Sequence, residues 1–184
     1  MTADLGGSIH DLTGHSAVSD GAMRVSAEYL VFALVLLLAV LWFHRDGLRV
    51  GVAFGLGVVV ALAVGAILGS LWSEQRPFVV DHFTPLVAHS TDGGFPSDHL
   101  LVVGAMVGAC WVRARALAWA TVGVAVLVAV GRVYVGLHYP VDVVAGFAVG
   151  VGCGLAAWGA TARLAPLLGR LDDVLRRRGL RRVR

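Results

Sequence analysis

The residues best suited to chemistry are spaced Arg132-x5-His138-x3-Asp142, between the end of one apolar run and the start of the next. A second group, Pro96-Ser97-Asp98-His99, stands where another apolar run begins, and Arg76 follows a third. Histidine acts as an acid or base near neutral pH, and the guanidinium of arginine holds phosphate oxygens with a planar fork of donors. Two histidines and two arginines at the ends of apolar runs therefore predict phosphoryl chemistry on a lipid.

The composition places these residues in a membrane protein. Apolar residues make up 58% of the 184-residue chain, and its mean hydropathy is +0.80, far above that of a soluble domain. A spanning helix needs roughly 20 apolar residues, so there is room for one bundle and no second folded domain. Cys110 and Cys153 lie inside apolar runs without a Cys-x-x-Cys motif, which gives no support to a metal or redox site.

Apolar runs predict an all-α bundle of about five spanning helices. The runs lie near residues 28–43, 49–72, 99–112, 116–130 and 140–162. The third is short for a full crossing, so we expect it to begin inside the preceding loop or to be buried by its neighbours. Gly146, Gly150 and Gly154 share one helical face, which favours close packing within the bundle over a dimer seam.

The arginines predict the orientation of the bundle. All fifteen basic residues are arginines, and alternate loops separate Arg24, Arg76 and Arg132 from the other twelve, eight of which lie in the C-terminal tail. The positive-inside rule puts the arginine-rich loops in the cytoplasm and the motif loops at the outer membrane–water interface. This divides the chain into a polar extracytoplasmic segment (1–24), a transmembrane catalytic domain (25–162) and a basic cytoplasmic tail (163–184).

Three further expectations follow from the same sequence. The N-terminus has no apolar run before about Tyr29, so no cleaved signal peptide is expected. We expect the arginines of the tail to touch anionic lipid and solvent, and not nucleic acid. Beyond His138 and Asp142 the outer loops have no histidine–carboxylate cluster at metal-ligand spacing, so no metal or other cofactor is predicted. The oligomeric state stays open.

The motifs resemble those of the type 2 phosphatidic acid phosphatase superfamily of membrane lipid phosphatases. The family pattern is Lys-x6-Arg-Pro, then Pro-Ser-Gly-His, then Ser-Arg-x5-His-x3-Asp. This sequence has Gly69-x6-Arg76-Pro77, Pro96-Ser97-Asp98-His99 and Gly131-Arg132-x5-His138-x3-Asp142. The match runs from about Gly69 to the last apolar run, and one of the six spans common in the family is expected to be absent near the N-terminus.

The resemblance implies a catalytic role for three residues. His138 would attack phosphorus to form a phosphohistidine, and His99 would protonate the departing lipid phosphate and then activate water. Asp142 would orient His138. Pro140 suits the first turn of the last helix, which puts Asp142 near the third helical position, within reach of His138. A plain capping role for Asp142 is the alternative.

The resemblance also implies a substrate-binding set. Arg76 and Arg132 would neutralise the charge on the phosphate oxygens in the transition state, next to Pro77. Ser97 would hold the phosphate at the start of a helix, where it could equally serve as the N-cap. Asp98 would belong to the same set, either paired with an arginine or polarising His99.

Three departures from the family pattern matter. The chain has no lysine, and Gly69 stands where the family usually has a phosphate-binding cation, so His82 and His89 are candidate substitutes. Gly131 replaces a hydroxyl donor, which predicts that backbone N–H groups alone serve there. Asp98 replaces glycine, and Pro-Ser-Asp-His is similar to the branch that dephosphorylates undecaprenyl diphosphate outside the bacterial cytoplasm.

The resemblance therefore implies a bacterial cell-membrane enzyme that converts undecaprenyl diphosphate to undecaprenyl phosphate for cell-wall synthesis. Phosphatidic acid, phosphatidylglycerol phosphate and decaprenyl-linked sugar phosphates are alternative substrates. A lipid-binding scaffold or small transporter without activity is the competing class, and the missing lysine is its main support. Comparing phosphate release by the wild type and by His138→Ala separates the two classes.

Overall fold

The computed structural model describes residues 11–72 and 74–180, and every regular element within them is helical. The prediction of an all-α fold is confirmed. The helices are α1 (Ala17–Glu28), α2 (Ala33–Leu41), α3 (Gly47–Leu71), α4 (Pro77–Val80), α5 (Asp98–Cys110), α6 (Arg115–Tyr134), α7 (Pro140–Ala160) and α8 (Ala165–Arg177), with short 3-10 segments at Leu30–Phe32 and Thr161–Leu164.

Within residues 11–72 and 74–180, three helical stretches are long and apolar enough to cross a membrane. They are α3, α6 and a 38-residue stretch, Pro140–Arg177, that comprises α7 and α8. A fourth crossing is possible if α1 and the stretch Leu30–Leu41, which meet at a 49° bend, form one broken span. Part of the predicted tail thus forms α8, which packs beside the start of α3.

The first helix begins at Ala17, earlier than its apolar run near residue 28 predicts. The sequence of α1 is too polar for a hydropathy pattern to predict the helix, but the residues at its start are typical of a helix N-terminus. The side chain of Ser16 accepts a hydrogen bond from the backbone N–H of Ser19, and Asp20 lies in the first turn, where a carboxylate is stabilised by the helix dipole.

The short helix α5 lies at the centre of the bundle. It packs against α3, α6 and α7, and ten of its 13 residues are buried. At 1.5 Å per residue it is about 20 Å long, less than the thickness of a bilayer core. A helix surrounded by protein does not have to match that thickness, because its side chains contact other helices instead of lipid. The expectation that the third apolar run is buried by its neighbours is confirmed.

The glycine face of α7 packs within the bundle. A Cβ atom added to Gly150 would lie 3.0 Å from the backbone nitrogen of Ala105 and closer still to the carbonyl oxygen of Leu101, both on α5. Gly146 and Gly154 also face the backbone of the α5 region. The predicted role of this glycine face, close packing within the bundle, is therefore fulfilled by the contact between α5 and α7.

Replacing Gly150 by alanine is expected to lower the free energy of unfolding by about 2 kcal/mol, because the added methyl group forces α5 and α7 apart. Gly152→Ala is the matched control on the same helix, since a Cβ atom there would meet nothing within 4 Å. The control should unfold at or slightly above the wild-type temperature. Thermal unfolding of the purified proteins in detergent measures both effects, and equal unfolding temperatures for the two variants would contradict this packing.

The N-terminal helix α1 lies along α6 and reaches the predicted site. The hydroxyl of Tyr134 donates to Asp20 over 2.8 Å, and that of Ser26 donates to the carbonyl oxygen of Leu127 over 2.7 Å. A Cβ atom on Gly131 would lie 2.9 Å from the backbone nitrogen of Ala27. Glycine at this position therefore allows the backbones of α1 and α6 to touch, which accounts physically for the absence of the family's serine.

The three motifs meet at one end of the bundle. The C-terminal ends of α3 and α6 and the N-terminal ends of α5 and α7 lie there, joined by the segment 72–97 and by the short loop 135–139. The helices thus bring together residues that are up to 66 positions apart, from Arg76 to Asp142.

Candidate active site

His138 occupies the centre of the cluster, in the loop between α6 and α7. Its side chain is only 3% exposed. The Nδ1 atom lies 2.8 Å from the carbonyl oxygen of Gly94. Because a carbonyl oxygen can only accept, this contact places the ring hydrogen on Nδ1 and leaves the lone pair of the neutral imidazole on Nε2. The backbone of Gly94 thus selects the tautomer in which Nε2 is the nucleophilic atom.

Two guanidinium groups point at this nucleophilic nitrogen. Arg132 donates to Nε2 of His138 from NH2 over 3.0 Å, and Arg76 donates from NH1 over 3.3 Å. Both arginines are almost completely buried, with exposed fractions of 4% and 5%. A phosphoryl group attacked by Nε2 would therefore have its oxygens within reach of two cationic donors, which is the arrangement that phosphoryl transfer requires.

The electrostatic surroundings keep His138 neutral. Burial penalises the charged form, and the nearby charges of Arg132 and Arg76 disfavour it further, so the pKa of His138 lies well below its usual value. The hydrogen bond to Gly94 acts in the opposite direction but does not reverse the shift. A neutral imidazole is the form that can act as a nucleophile.

This shift predicts a loss of stability in acid. The unfolded chain takes up a proton on His138 near pH 6.5, whereas the folded protein does so only at lower pH. Stability should therefore fall as the pH drops below about 6.5, by up to about 1.4 kcal/mol per pH unit for this residue. Unfolding free energies measured between pH 7 and pH 5 should depend less steeply on pH in His138→Gln, and an unchanged slope would contradict the assignment.

Asp142 has two contacts at the start of α7. It is the third residue of that helix, as the sequence predicts, and its Oδ2 atom accepts a hydrogen bond from the backbone N–H of Tyr139 over 2.8 Å. The same atom lies 3.5 Å from Nδ1 of His138, farther away than the carbonyl oxygen of Gly94. The carboxylate therefore caps the helix and stands beside the imidazole, while Gly94 provides the shorter contact to Nδ1.

Asp92 holds Arg76 from the other side. Its Oδ1 atom accepts from Nε and NH2 of Arg76 over 3.1 and 3.0 Å, and from the hydroxyl of Ser90 over 2.8 Å. Burial alone would raise the pKa of Asp92, but the hydrogen bonds from Ser90 and Arg76 and the charge of Arg76 lower it. Asp92 is thus ionised at neutral pH and fixes the guanidinium that faces His138.

One cavity of about 390 Å³ contains most of these groups. Its lining combines polar and charged side chains with residues of α3. The lining consists of Leu62, Gly65, Ala66, Gly69, Arg76, His89, Asp92, Gly93, Phe95, Pro96, Asp98, His99, Arg132 and His138. The two histidines of the predicted catalytic set, His99 and His138, therefore face the same space.

Asp98 also faces this space. It is exposed, and it interacts electrostatically with Arg132 without forming an ion pair within 4 Å among the described residues. Both roles that the sequence predicts for Asp98 stay predictions.

Pro77, Ser97 and Asp142 lie outside the lining of the cavity. Pro77 is buried as the first residue of α4, where its ring restricts the backbone of Arg76 to an extended conformation. Ser97 is at the N-cap of α5 without a side-chain capping bond, and its buried hydroxyl has no hydrogen-bond partner among the described residues. The predicted capping role of the Ser97 side chain is therefore wrong, because the hydroxyl does not reach the first backbone N–H groups of α5.

Two partners of the motif residues were not predicted from the sequence. Gly94 acts through its backbone carbonyl, which no residue type reveals, and Asp92 is one of several acids in a polar loop. The one indication in the sequence that Gly94 and Asp92 lie at the site was their positions two and four residues before Pro96. A loop that leads directly into a motif must pass close to the site.

The family profile of the PAP2 superfamily matches residues 50–165 of the chain. Undecaprenyl-diphosphatase BcrC of Bacillus subtilis strain 168 is 32% identical over 153 residues, which cover 82% of this chain and 79% of that protein. Bacitracin transport permease protein BcrC of Bacillus licheniformis is 32% identical over 146 residues, or 78% of this chain and 72% of that protein.

The fold is similar to a solved membrane structure. The crystal structure of a transmembrane PAP2-type phosphatidylglycerolphosphate phosphatase from Bacillus subtilis has a TM-score of 0.62 and 22% sequence identity. The similarity covers 88% of this chain and 85% of that one. At this identity the similarity concerns the fold alone.

Proposed function

Given that the chain belongs to the PAP2 superfamily of membrane lipid phosphatases, we propose that it removes the terminal phosphate of undecaprenyl diphosphate. The observation that carries this proposal is the single cavity that joins His138, His99 and two arginines to an apolar face of α3. The polar and charged part of the lining suits a diphosphate, and the side chains of Leu62 and Ala66 suit the beginning of a hydrocarbon chain. The relative named undecaprenyl-diphosphatase supports the choice of lipid.

In the first step, the lone pair on Nε2 of His138 attacks the terminal phosphorus. The bond between this phosphorus and the bridging oxygen breaks, and its electron pair stays on that oxygen. The oxygen takes a proton from the imidazolium form of His99, the form that the negative charge of the bound diphosphate stabilises. The products are a phosphohistidine and undecaprenyl phosphate. Arg76 and Arg132 leave Nε2 to hold the phosphoryl oxygens, where their charge stabilises the transition state.

In the second step, water replaces the histidine. His99 accepts a proton from the water as its oxygen attacks phosphorus, and the bond between phosphorus and Nε2 breaks. Inorganic phosphate then leaves, and His138 is again a neutral imidazole. Dividing the displacement into two steps allows one histidine to serve as nucleophile and the other as acid and then base.

The arginine distribution supports a multi-pass protein of the cell membrane with this site on the outer side and the C-terminus in the cytoplasm. The substrate would then be reached from the outer leaflet. A reporter enzyme that works only in the cytoplasm should be active when fused to the C-terminus, and one that works only outside the cytoplasm should be inactive there. Activity of the second reporter would contradict this orientation.

A panel of lipid phosphates tests the choice of substrate. Purified protein in detergent should release phosphate from undecaprenyl diphosphate at least about tenfold faster, in kcat/KM, than from phosphatidic acid or phosphatidylglycerol phosphate, since one contact to a charged group is worth about this factor. A preference for phosphatidic acid would refute the substrate while leaving the phosphatase activity in place.

Transport is the second candidate, because one relative carries the name of a transport permease. The buried charge cluster at Nε2 of His138 favours catalysis, since a transporter has no need of a neutral, tautomer-fixed imidazole between two guanidiniums. Phosphate release that is no faster in the wild type than in His138→Ala would decide for the non-enzymatic function.

A further inference from the structure

The cavity has no room for a cationic side chain at the position where the family usually carries lysine. Gly69 lines the cavity near the end of α3. A Cβ atom there would lie 2.8 Å from the carbonyl oxygen of Phe95. Real Cβ atoms essentially never come within 3.0 Å of another heavy atom in this way. Any larger residue would push the backbone of the segment that leads into the Pro96 motif. A cation in addition to Arg76 and Arg132 would therefore have to come from another part of the chain.

Of the two loop histidines that could replace it, only His89 lines the cavity. Its side chain is 27% exposed, and it shares the lining with Arg76, Arg132, His99 and His138. His89 is the one basic residue in this lining that the proposed mechanism leaves without a role. His82, by contrast, lies outside the lining.

The hydrogen bonds of the loop fix the orientation of the His89 ring. The hydroxyl of Ser90 donates its hydrogen to Asp92 over 2.8 Å, so it has none to give to His89. The Nδ1 atom of His89 lies 3.3 Å from both oxygen atoms of Ser90 and 3.9 Å from Asp92, all of them acceptors at this nitrogen. The ring hydrogen is therefore on Nδ1, and Nε2, which bonds to no described residue, is left for a ligand.

The charges around His89 suit the binding of a phosphate. In the resting site, burial and the charges of Arg76 and Arg132 lower the pKa of His89, so the ring is neutral. A phosphate group that enters as its monoanion brings the missing proton, which Nε2 then shares in a charge-assisted hydrogen bond. The carboxylate of Asp92, near Nδ1, stabilises the positive charge that develops on the ring.

We propose that His89 is a ligand of the substrate's phosphate and takes the place of the cation that Gly69 cannot provide. Its Nε2 atom binds an oxygen of the diphosphate while Arg76 and Arg132 hold the phosphoryl group in front of His138. The inference rests on the proposed diphosphatase function for the identity of the substrate, but the phosphate-binding role of His89 can be measured without the lipid.

Binding of inorganic pyrophosphate to the purified full-length protein is the test. Isothermal titration should give a dissociation constant about tenfold higher for His89→Ala than for the wild type, as expected for the loss of one charge-assisted hydrogen bond. His89→Lys, which restores a cation, should bind within about threefold of the wild type. His82→Asn is the matched loop control, because asparagine tolerates the positive φ of 55° at this residue, and it should bind as the wild type does. Wild-type affinity in His89→Ala would overturn the proposal.

A second variant excludes an indirect effect through Arg76. Because Asp92 contacts both Arg76 and His89, His89 would matter only as a positioning residue if it acted by holding Asp92. The substitution His89→Ala is therefore repeated in an Asp92→Asn background. Direct binding predicts that part of the loss, at least about threefold, persists there even without the carboxylate that stabilises a charged His89 ring. Complete disappearance of the loss would make His89 a positioning residue and overturn the proposal.

The outcomes for His89 and for the proposed function are distinguishable. If the wild type hydrolyses undecaprenyl diphosphate but His89→Ala binds pyrophosphate normally, the role of His89 is wrong and the function stands. If the wild type binds pyrophosphate through His89 but hydrolyses no lipid diphosphate, the function is wrong and the phosphate-binding role stands.

Discussion

Phosphate release from undecaprenyl diphosphate is expected to fall at least about a thousandfold when His138 is replaced by alanine. The variant removes the nitrogen that attacks phosphorus, and no other described histidine has its Nε2 between two guanidinium groups. The remaining arginines cannot compensate, because they stabilise a transition state that no longer has its nucleophile. Release of inorganic phosphate by purified protein in detergent measures the effect.

Binding of pyrophosphate separates the loss of chemistry from the loss of the fold. Arg76 is still held by Asp92 in His138→Ala, and Arg132 gains a free donor, so the dissociation constant for pyrophosphate should stay within about threefold of the wild type. If the variant retains more than about a tenth of the wild-type rate, His138 is not the nucleophile.

The second large effect is expected for Arg132→Gln, which should lower kcat/KM about a hundredfold. The guanidinium is 4% exposed, and its NH2 atom is 3.0 Å from Nε2 of His138, while its buried Nε has no hydrogen-bond partner among the described residues. It therefore has donors available for phosphate oxygens at the point where charge develops. Steady-state kinetics with undecaprenyl diphosphate measure the loss.

Two further variants establish that the shape of the guanidinium matters. Arg132→Lys keeps the charge but loses the planar fork, so its kcat/KM should lie between those of the wild type and Arg132→Gln. Arg24→Gln is the control, because Arg24 is an exposed residue of α1 and is expected to have no effect on turnover. If Arg132→Gln stays within about threefold of the wild type in kcat/KM, Arg132 does not take part in the reaction.

The sequence was most informative where one residue type has one physical meaning. Apolar runs located α3, α6 and α7, and the arginine and histidine positions at their ends located the site. The shortness of the run at residues 99–112 predicted that α5 begins inside the preceding loop or is buried by its neighbours, and the structure shows the burial.

The sequence was least informative where backbone groups make the contacts that shape the site. The carbonyl of Gly94 selects the tautomer of His138, and the carbonyl of Phe95 excludes a side chain at Gly69. Neither contact can be predicted from residue types, because every residue has a backbone carbonyl. Helix α1 was missed for a different reason, since its contact with Gly131 stabilises a segment too polar to form a hydrophobic pattern.

The loop between α4 and α5 limited the prediction of the site most. His82, His89 and Asp92 are equivalent as sequence, all polar residues in one irregular segment. Only the path of the backbone decides that Asp92 reaches Arg76 and that His89 faces the cavity while His82 does not.

Transfer of the terminal phosphate to His138 is the most direct test of the mechanism. Protein mixed with undecaprenyl diphosphate labelled in its terminal phosphate, and quenched with alkali within milliseconds, should carry label that is stable in base, labile in acid and located on the peptide containing His138. His138→Ala should carry none. Steady hydrolysis by the wild type without any labelled protein, or label on a residue other than His138, would contradict the account.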